Sequence, residues 1–195
     1  MKSANRAAGR QCILDQAQAL FLAHGYHAVS IRDIVRACGL SNAALYYHFG
    51  NKQNLFVEVF KEYVAVLVQQ VRDAGSVPGS CHQRVIRMAE AHAQSILKSK
   101  SELHTLIRDL MDCNEEGMRQ LIREALDQIP SMFAAILEEG IGNGEIQTVD
   151  AHRVSVLLLG MIRSLTSHHR YDSVAETLAE DVEFAVNTLF EGISV

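Results

Sequence analysis

Apolar residues recur at helical spacing along almost the whole chain, and this pattern limits the fold more than any other feature of the sequence. In QCILDQAQALFLAHG (residues 11–25) they form one stripe, made of Ile13, Leu14, Ala17, Leu20 and Phe21. Such a stripe predicts an amphipathic helix that ends at Gly25. The chain has two prolines and no tryptophan, and it has few of the period-two apolar runs that indicate strands. We therefore predict an all-α protein.

Two short helices are predicted next, each with its own start signal. Ser30 followed by Asp33 is a capping-box pattern, and Ile31 and Ile34 give the new helix an apolar side. A glycine ends it, and Ser41 is placed to cap a third helix. Two short helices that meet across CGLS (residues 38–41) predict a helix-turn-helix, whose second helix can enter the major groove of DNA.

The start of the third helix carries small and amide side chains. Asn42 can pair with adenine or reach a phosphate through its amide. Ala43 and Ala44 are small enough for close approach and could touch thymine methyl groups. This composition is typical of a helix that reads bases.

Hydrogen-bond donors follow within SNAALYYHFGNKQNLF (residues 41–56). Tyr46, Tyr47 and His48 can donate to phosphate oxygens, although the ring of Tyr46 could also be partly packed in the core. Asn51 is expected to cap a fourth helix, at whose positive end Lys52 adds a full charge. We interpret these side chains as contacts to the phosphates of the nucleic-acid backbone.

Charge is divided unevenly along the chain. Up to residue 56 there are six basic and two acidic side chains, a net charge of +4, which leaves −9 for the rest of a chain whose total is −5. A positively charged N-terminal part followed by a negatively charged remainder suits a protein that binds a polyanion. Uneven surface charge is also common in proteins of other classes.

The run SIRDIVRACGLSNAALYYHFGNKQNLF (residues 30–56) resembles the DNA-binding domain of the tetracycline-repressor (TetR) family of bacterial regulators. The matching positions are Ile34, Ala37, Gly39, Ser41, Leu45, Tyr46, His48, Phe49, Lys52 and Leu55. The departures are Ser30 for threonine, Val35 for alanine, Leu40 for valine, and Asn54 where an acidic residue is usual. The missing acid weakens the expected cap of helix 4 and leaves the fold assignment unchanged.

The resemblance implies a helix-turn-helix domain at 1–55, joined by a long helix 4 to a ligand-binding and dimerisation domain at 56–195, with about nine helices in all. It implies base reading at Arg32, Asn42, Ala43, Ala44 and Tyr47. Backbone contacts are implied at Tyr46, His48 and Lys52. Ser30 and Ser41 complete the predicted DNA-binding set, and both are helix caps whatever else they touch.

Later helices are predicted near 81–98, 102–112, 117–142 with a kink or break at Pro130, 150–169 and 174–191. AGSVPGS (residues 74–80) is typical of a turn or linker. GIGNGE (residues 140–145) has neither phosphate-loop spacing nor a preceding strand, so we interpret it as a helix stop before Asp150 caps the next helix.

The resemblance also implies a homodimer, formed by the last two helices, and an effector pocket among the middle helices. Burial inside one chain would explain much of the same apolar pattern. A mostly apolar small molecule would suit the candidate pocket residues, although Met and Phe at helical spacing more often form core. These residues are Tyr63, Met88, His92, His104, Met111, Phe133 and Met161.

Other site chemistries have little support. Cys12, Cys38, Cys81 and Cys113 contain no CxxC pair, so we expect reduced packing residues and no zinc site or disulfide framework. No His-x3-His, HExxH or GxSxG motif is present, and we predict no metal, no cofactor and no enzyme activity. The chain has no apolar run long enough to span a membrane and no signal-peptide core, so we expect a cytoplasmic protein.

The sequence therefore favours a ligand-responsive transcriptional regulator, with repression as the expected mode. The alternative is an all-α ligand carrier or enzyme with a vestigial helix-turn-helix unit. Substitution of the DNA-facing residues separates the two, because a carrier or catalytic activity would survive it.

Overall fold

The computed structural model describes residues 2–98, 116–169 and 177–194. Within these ranges every regular element is a helix, apart from one antiparallel bridge between Ile146 and Ser194, which confirms the all-α class. The helices are α1 Lys2–His24, α2 Ile31–Cys38, α3 Asn42–Phe49, α4 Lys52–Ser76, α5 Cys81–Lys98, α6 Glu116–Gly142, α7 Ala151–His169 and α8 Leu178–Glu191. The predicted helix at 102–112 lies outside the described residues.

The first compact unit contains α1, α2, α3, α4 up to Val64, and α6 up to Arg123. Its core is built from the apolar stripes that the periodicity predicts, since Ile13, Leu14 and Ala17 of α1 are fully buried together with Ile34 of α2. The α1 helix ends at Gly25, whose N–H donates to the Phe21 carbonyl at 2.9 Å. α1, α2 and α3 pack against one another as a three-helix unit.

The second compact unit contains the rest of α4 from Ala65, the rest of α6 from Glu124, and α5, α7 and α8. α5, α7 and α8 pack against one another. α6 approaches the start of α5, where Arg84 forms an ion pair with Glu139. Gly140 allows this approach, because a Cβ there would lie 2.6 Å from the Cys81 sulfur.

Two of the predicted breaks are helical in the structure. α4 continues through Ala74 and Gly75 to Ser76, so the predicted linker starts three residues later than expected. Gly75 serves packing and not a turn, since a Cβ there would lie 2.6 Å from the Met88 sulfur. Pro130, where the sequence predicted a kink or a break, lies inside α6 and does not end the helix. The predicted stop after Gly142 and the Asp150 cap are confirmed, the latter by a 3.0 Å hydrogen bond from the Arg153 N–H.

Candidate nucleic-acid interface

The start and end of α2 are set by local hydrogen bonds. The Ser30 hydroxyl accepts from the Asp33 N–H at 3.2 Å, and the Asp33 carboxylate accepts from the Ser30 N–H at 3.0 Å. The Ser30 hydroxyl also donates to the Asp33 carboxylate, and this bond together with that from the Ser30 N–H holds the pKa of Asp33 below its usual value. The helix ends at Gly39, whose φ of 65° lies in the left-handed region that glycine adopts without strain. The capping box is confirmed, and the turn before α3 is sharply defined.

α3 has one buried side and one exposed side. The Ser41 hydroxyl accepts from the Ala44 N–H at 3.3 Å and caps the helix. Leu45 and Phe49, four residues apart, are both buried. The opposite side presents Asn42, Ala43, Tyr46 and Tyr47, all exposed. The exposed side of α3 therefore contains four of the residues predicted to contact DNA, whereas Ala44 and His48 of that set are half-buried.

The two tyrosines are the largest features of that face. Tyr46 is 51% exposed and Tyr47 is 63% exposed. Exposed aromatic rings are disfavoured in water, so their position on a capped helix points to a partner that covers them. The neighbouring His48 is half-buried and lies with its ring 5.1 Å from the Tyr47 ring and 6.1 Å from the Phe49 ring. Tyr46 is therefore a surface residue of this unit.

Lys52 has a partner that the sequence did not reveal. Its ammonium group donates to the Tyr26 carbonyl at 2.5 Å and lies 4.1 Å from the centroid of the Tyr26 ring. Partial burial lowers the pKa of Lys52. The Tyr26 ring in turn lies 4.5 Å from the Phe56 ring. Lys52 thus joins the first turn of α4 to the segment after α1, and two of its three N–H donors remain for another acceptor.

The cap of α4 is supplied by Asn51, as predicted. Its side-chain oxygen accepts from the Asn54 N–H at 2.7 Å. The family's acidic residue is replaced by Asn54 in this chain, and the Asn51 cap holds the helix start without it. The positive end of the α4 dipole therefore lies beside Lys52.

Two arginines on α2 add positive charge to the surface of the first unit. Arg32 and Arg36 are both exposed and lie four residues apart, so they project from the same side of the helix. Arg36 was absent from the residues predicted to contact DNA, although its i, i+4 relation to Arg32 was a usable signal. Arg10, by contrast, is held in an ion pair with Glu58 at 2.9 Å.

The residues predicted to line an effector pocket differ in their surroundings. Tyr63 belongs to the first unit and is half-buried. In the second unit Met88 and Phe133 are buried core residues, whereas His92 and Met161 are half-buried. His104 and Met111 lie outside the described residues. An open groove of about 530 Å³ in the second unit contains none of them and is lined by His82, Glu145, Ile146, Asn187, Phe190, Glu191 and Ser194.

His92 has an unusual environment within the second unit. Its Nδ1 atom is buried and has no hydrogen-bond partner among the described residues. Burial, assisted by the positive charge of Arg163, lowers the pKa of His92 to about 4. The imidazole is therefore neutral in the folded protein at neutral pH.

This pKa predicts acid sensitivity. Because the unfolded chain binds a proton at His92 near pH 6.5 and the folded chain does not until about pH 4, stability falls as the pH falls through that window. Between pH 7 and pH 5 the wild type should lose about 2 kcal/mol more unfolding free energy than the His92→Leu variant. Urea unfolding at the two pH values measures the difference. Equal losses in both proteins would contradict the assignment.

Neither a membrane span nor a metal cluster occurs among the described residues. None of the helices there combines the length and the apolar character that a membrane span requires. In the same part of the chain no group of three His, Cys, Asp or Glu side chains gathers as metal ligands would.

Burial raises the pKa of Cys81 to about 11, so this thiol is protonated at neutral pH.

A capped helix-turn-helix with exposed tyrosines on its second helix and arginines on its first defines a DNA-binding protein. Residues 13–59 match the family model for bacterial regulatory proteins of the tetR family, and residues 78–172 match the tetracyclin repressor-like C-terminal domain. The chain belongs to the TetR family of bacterial transcriptional regulators.

Individual relatives agree with this class. The Bacillus subtilis fatty acid metabolism regulator protein is 25% identical in an alignment of 170 residues that covers 84% of this chain and 87% of that protein. The Corynebacterium glutamicum transcriptional repressor AcnR is 38% identical over 68 residues, 35% of this chain and 36% of that protein. The crystal structure of FadR from Bacillus subtilis in complex with stearoyl-CoA aligns with a TM-score of 0.76 at 21% identity, over 93% of this chain and 98% of that one.

Proposed function

We propose that the protein is a cytoplasmic repressor that binds a palindromic operator as a homodimer and is released from it by a small-molecule effector. The observation that carries the proposal is the exposed, capped α3 with Tyr46 and Tyr47 more than half exposed. A bacterial repressor binds chromosomal DNA, which lies in the cytoplasm, and this is why we propose a cytoplasmic location. In this proposal the DNA-binding domain is 1–55 and the effector and dimerisation domain is 56–195.

Most of the proposed DNA contacts are made by exposed side chains, while Ala44, His48 and Lys52 are half-buried. Arg32, Asn42, Ala43, Ala44 and Tyr47 read bases. Tyr46, His48 and Lys52 contact the backbone, while Ser30 and Ser41 cap the two helices. We add Arg36 as a phosphate contact, because it is exposed on the same side of α2 as Arg32.

The effector is proposed to be a mostly apolar small molecule. Support comes from the relative named as a fatty acid metabolism regulator, which matches over most of both chains. Long-chain fatty acids and their CoA thioesters are therefore the first compounds to test. The buried, unpartnered Nδ1 of His92 would serve as a polar contact among apolar groups in such a site.

α4 is the element through which an effector would act. Its residues 52–64 belong to the first unit and residues 65–76 to the second. A ligand that binds one position of α4 more tightly shifts the population toward that position. Operator affinity then falls by the ratio of the effector's affinities for the two states.

Selection from a random duplex DNA library by the purified protein, at about physiological salt, tests the proposal. We expect a recovered palindrome whose half-sites lie about one helical turn apart. The enriched duplex then serves as a probe, from which a long-chain acyl-CoA should release the protein.

Either of two results would contradict the proposal. Enrichment without symmetry would argue against a dimeric reader. No enrichment at any salt concentration, together with retained binding of small molecules, would favour the alternative of a carrier with a vestigial helix-turn-helix. A reporter gene placed behind the recovered site distinguishes repression from activation.

A further inference from the structure

Two cysteines from different helices are in contact in the first unit. Cys12 belongs to α1 and Cys38 is the last residue of α2, and these two helices pack against each other. The Cys38 thiol donates to the Cys12 carbonyl, with 3.2 Å between sulfur and oxygen. The two residues are 26 positions apart in the sequence, so only the fold brings them together.

Both thiols are reduced and within reach of small molecules. Cys12 and Cys38 are half-buried and neither is in a disulfide, whereas Cys81 is buried. Cysteines that respond to oxidants are accessible and lie next to a second cysteine that can resolve the first oxidation product. The pair in the first unit meets both conditions, and Cys81 does not meet the first.

The two thiols of the pair are chemically unequal. Burial, and then a hydrogen bond with the Cys12 side chain, raise the pKa of Cys38 to about 12. Cys38 therefore stays protonated at neutral pH, and any thiolate of the pair belongs to Cys12. Because the thiolate is the nucleophilic form of cysteine, Cys12 is suited to attack an oxidant and Cys38 to resolve the product.

We propose that Cys12 and Cys38 form a redox modification site, at which a peroxide converts the two thiols into a disulfide that lowers operator affinity. The effect on affinity rests on the proposed DNA binding, whereas the formation of the disulfide does not.

The reaction has two steps. The Cys12 thiolate attacks one peroxide oxygen, the O–O bond breaks, and the other oxygen leaves and takes up a proton, which makes Cys12 a sulfenic acid. The Cys38 sulfur then bonds to the Cys12 sulfur, and the sulfenic hydroxyl leaves with the Cys38 proton as water. The two thiols lose two electrons and the peroxide gains them. Excess thiol reverses the reaction by thiol–disulfide exchange.

The position of Cys38 connects this site to the DNA-binding surface. Gly39, at whose left-handed backbone the chain turns, follows it directly, and Ser41 caps α3 two residues later. Oxidation consumes the thiol proton that now binds the Cys12 carbonyl. It also brings the two sulfur atoms to a bonded separation of about 2.05 Å. The end of α2 must therefore shift against α1, and the turn that orients α3 shifts with it.

A displaced α3 is expected to bind DNA less well. The side chains of a binding surface must be held within about 0.5 Å of their working positions. Loss of a single good base contact already weakens binding about ten-fold or more. In the oxidised protein we therefore expect lower operator affinity without loss of the fold.

Peptide mapping tests the site without DNA. Trypsin leaves Cys12 in the peptide 11–32 and Cys38 in the peptide 37–52, and neither peptide contains another cysteine. After treatment of the full chain with hydrogen peroxide we expect the two peptides joined, two hydrogen atoms lighter than their sum, and separated again by dithiothreitol. Absence of the joined peptide at every peroxide concentration that leaves the protein folded would overturn the proposal.

Operator affinity tests the consequence. Fluorescence anisotropy with the selected duplex compares reduced protein, peroxide-treated protein and treated protein that is reduced again. We expect a dissociation constant at least about ten-fold higher after oxidation, as for the loss of one base contact, and its recovery after reduction. Far-UV circular dichroism establishes that the oxidised protein is folded.

Single substitutions provide the controls. Cys12→Ser and Cys38→Ser each remove one partner, so neither variant forms the disulfide and neither should lose affinity in peroxide. Cys38→Ser also keeps a hydroxyl that can donate to the Cys12 carbonyl. Cys113→Ser retains both members of the pair and should respond to peroxide as the wild type does.

The outcomes separate this site from the proposed function. A joined peptide in a folded protein that binds no duplex when reduced would support the disulfide and contradict both the proposed function and the effect on affinity. A joined peptide with unchanged affinity would overturn the effect on affinity alone. A peroxide-induced loss of affinity that persists in Cys12→Ser and Cys38→Ser would assign the response to another residue and overturn the proposal.

Discussion

Replacing Tyr46 and Tyr47 together by alanine should lower operator affinity by about 30-fold or more while leaving the fold intact. In a dimer the change withdraws four tyrosine side chains from the DNA, each worth about 0.5–1.5 kcal/mol when it forms a hydrogen bond. Both rings are more than half exposed, so truncation removes little from the core. Titration of the selected duplex by fluorescence anisotropy measures the decrease in affinity.

The matched control replaces both residues by phenylalanine, which keeps the rings and removes the hydroxyls. It should show an intermediate decrease if the hydroxyls donate to phosphates. The salt dependence should be unchanged in both variants, because tyrosine is neutral. The Arg36→Ala variant should instead reduce the salt slope by about one for each phosphate that the arginine no longer neutralises. Full affinity in the double alanine variant would place the reading surface elsewhere.

Replacing Phe56 by alanine should destabilise the first unit by about 3–5 kcal/mol. The ring is fully buried, with its centroid 5.0 Å from the Phe21 ring and 4.5 Å from the Tyr26 ring. Its removal leaves a cavity and withdraws packing from the Tyr26 ring over which the Lys52 ammonium lies. Chemical denaturation followed by circular dichroism measures the change, and operator binding should be lost with it.

Val66→Ala on the same helix provides the comparison. Val66 is 59% exposed, so its truncation should change stability by no more than about 0.5 kcal/mol. A Phe56→Ala protein destabilised by less than about 1 kcal/mol would show that the aromatic cluster relaxes around the missing ring. Lys52 would then be positioned by its hydrogen bond to the Tyr26 carbonyl and not by the cluster.

Lys52 shows why single substitutions at the interface need care. The sequence indicates a phosphate contact, and the structure adds an intramolecular role, since the same ammonium binds the Tyr26 carbonyl. A Lys52 variant would therefore combine removal of a charge with removal of a structural hydrogen bond. The exposed tyrosines give a cleaner measure of DNA binding.

Several features of the first unit were predictable because their causes are local. The caps at Ser30, Ser41 and Asn51 each involve a donor three residues away. A capping hydrogen bond forms between a side chain and a backbone N–H only three residues away, so it does not depend on how distant parts of the chain pack. The buried stripes of α1 and α2 follow from periodicity alone, which reports the direction in which each side chain points.

Residues that meet across long separations were not predictable in the same way. Lys52 and Tyr26 are 26 positions apart, and either residue alone is compatible with a solvated surface. Gly75 was misjudged for the same reason, because glycine near a proline is typical of a turn. The contact with Met88, which explains why the helix continues with a glycine at that point, depends on where α5 returns.

By itself, the sequence determined the helical class, the helix-turn-helix with its caps, and the side of α3 that faces outward, since these depend on spacing within a few residues. The tertiary structure alone decided that Lys52 binds Tyr26, that Gly75 lies inside a helix, and that the Nδ1 of His92 is buried without a partner among the described residues. The physical reason is that burial and distant pairing depend on how the helices pack, and no local pattern of residues specifies that packing.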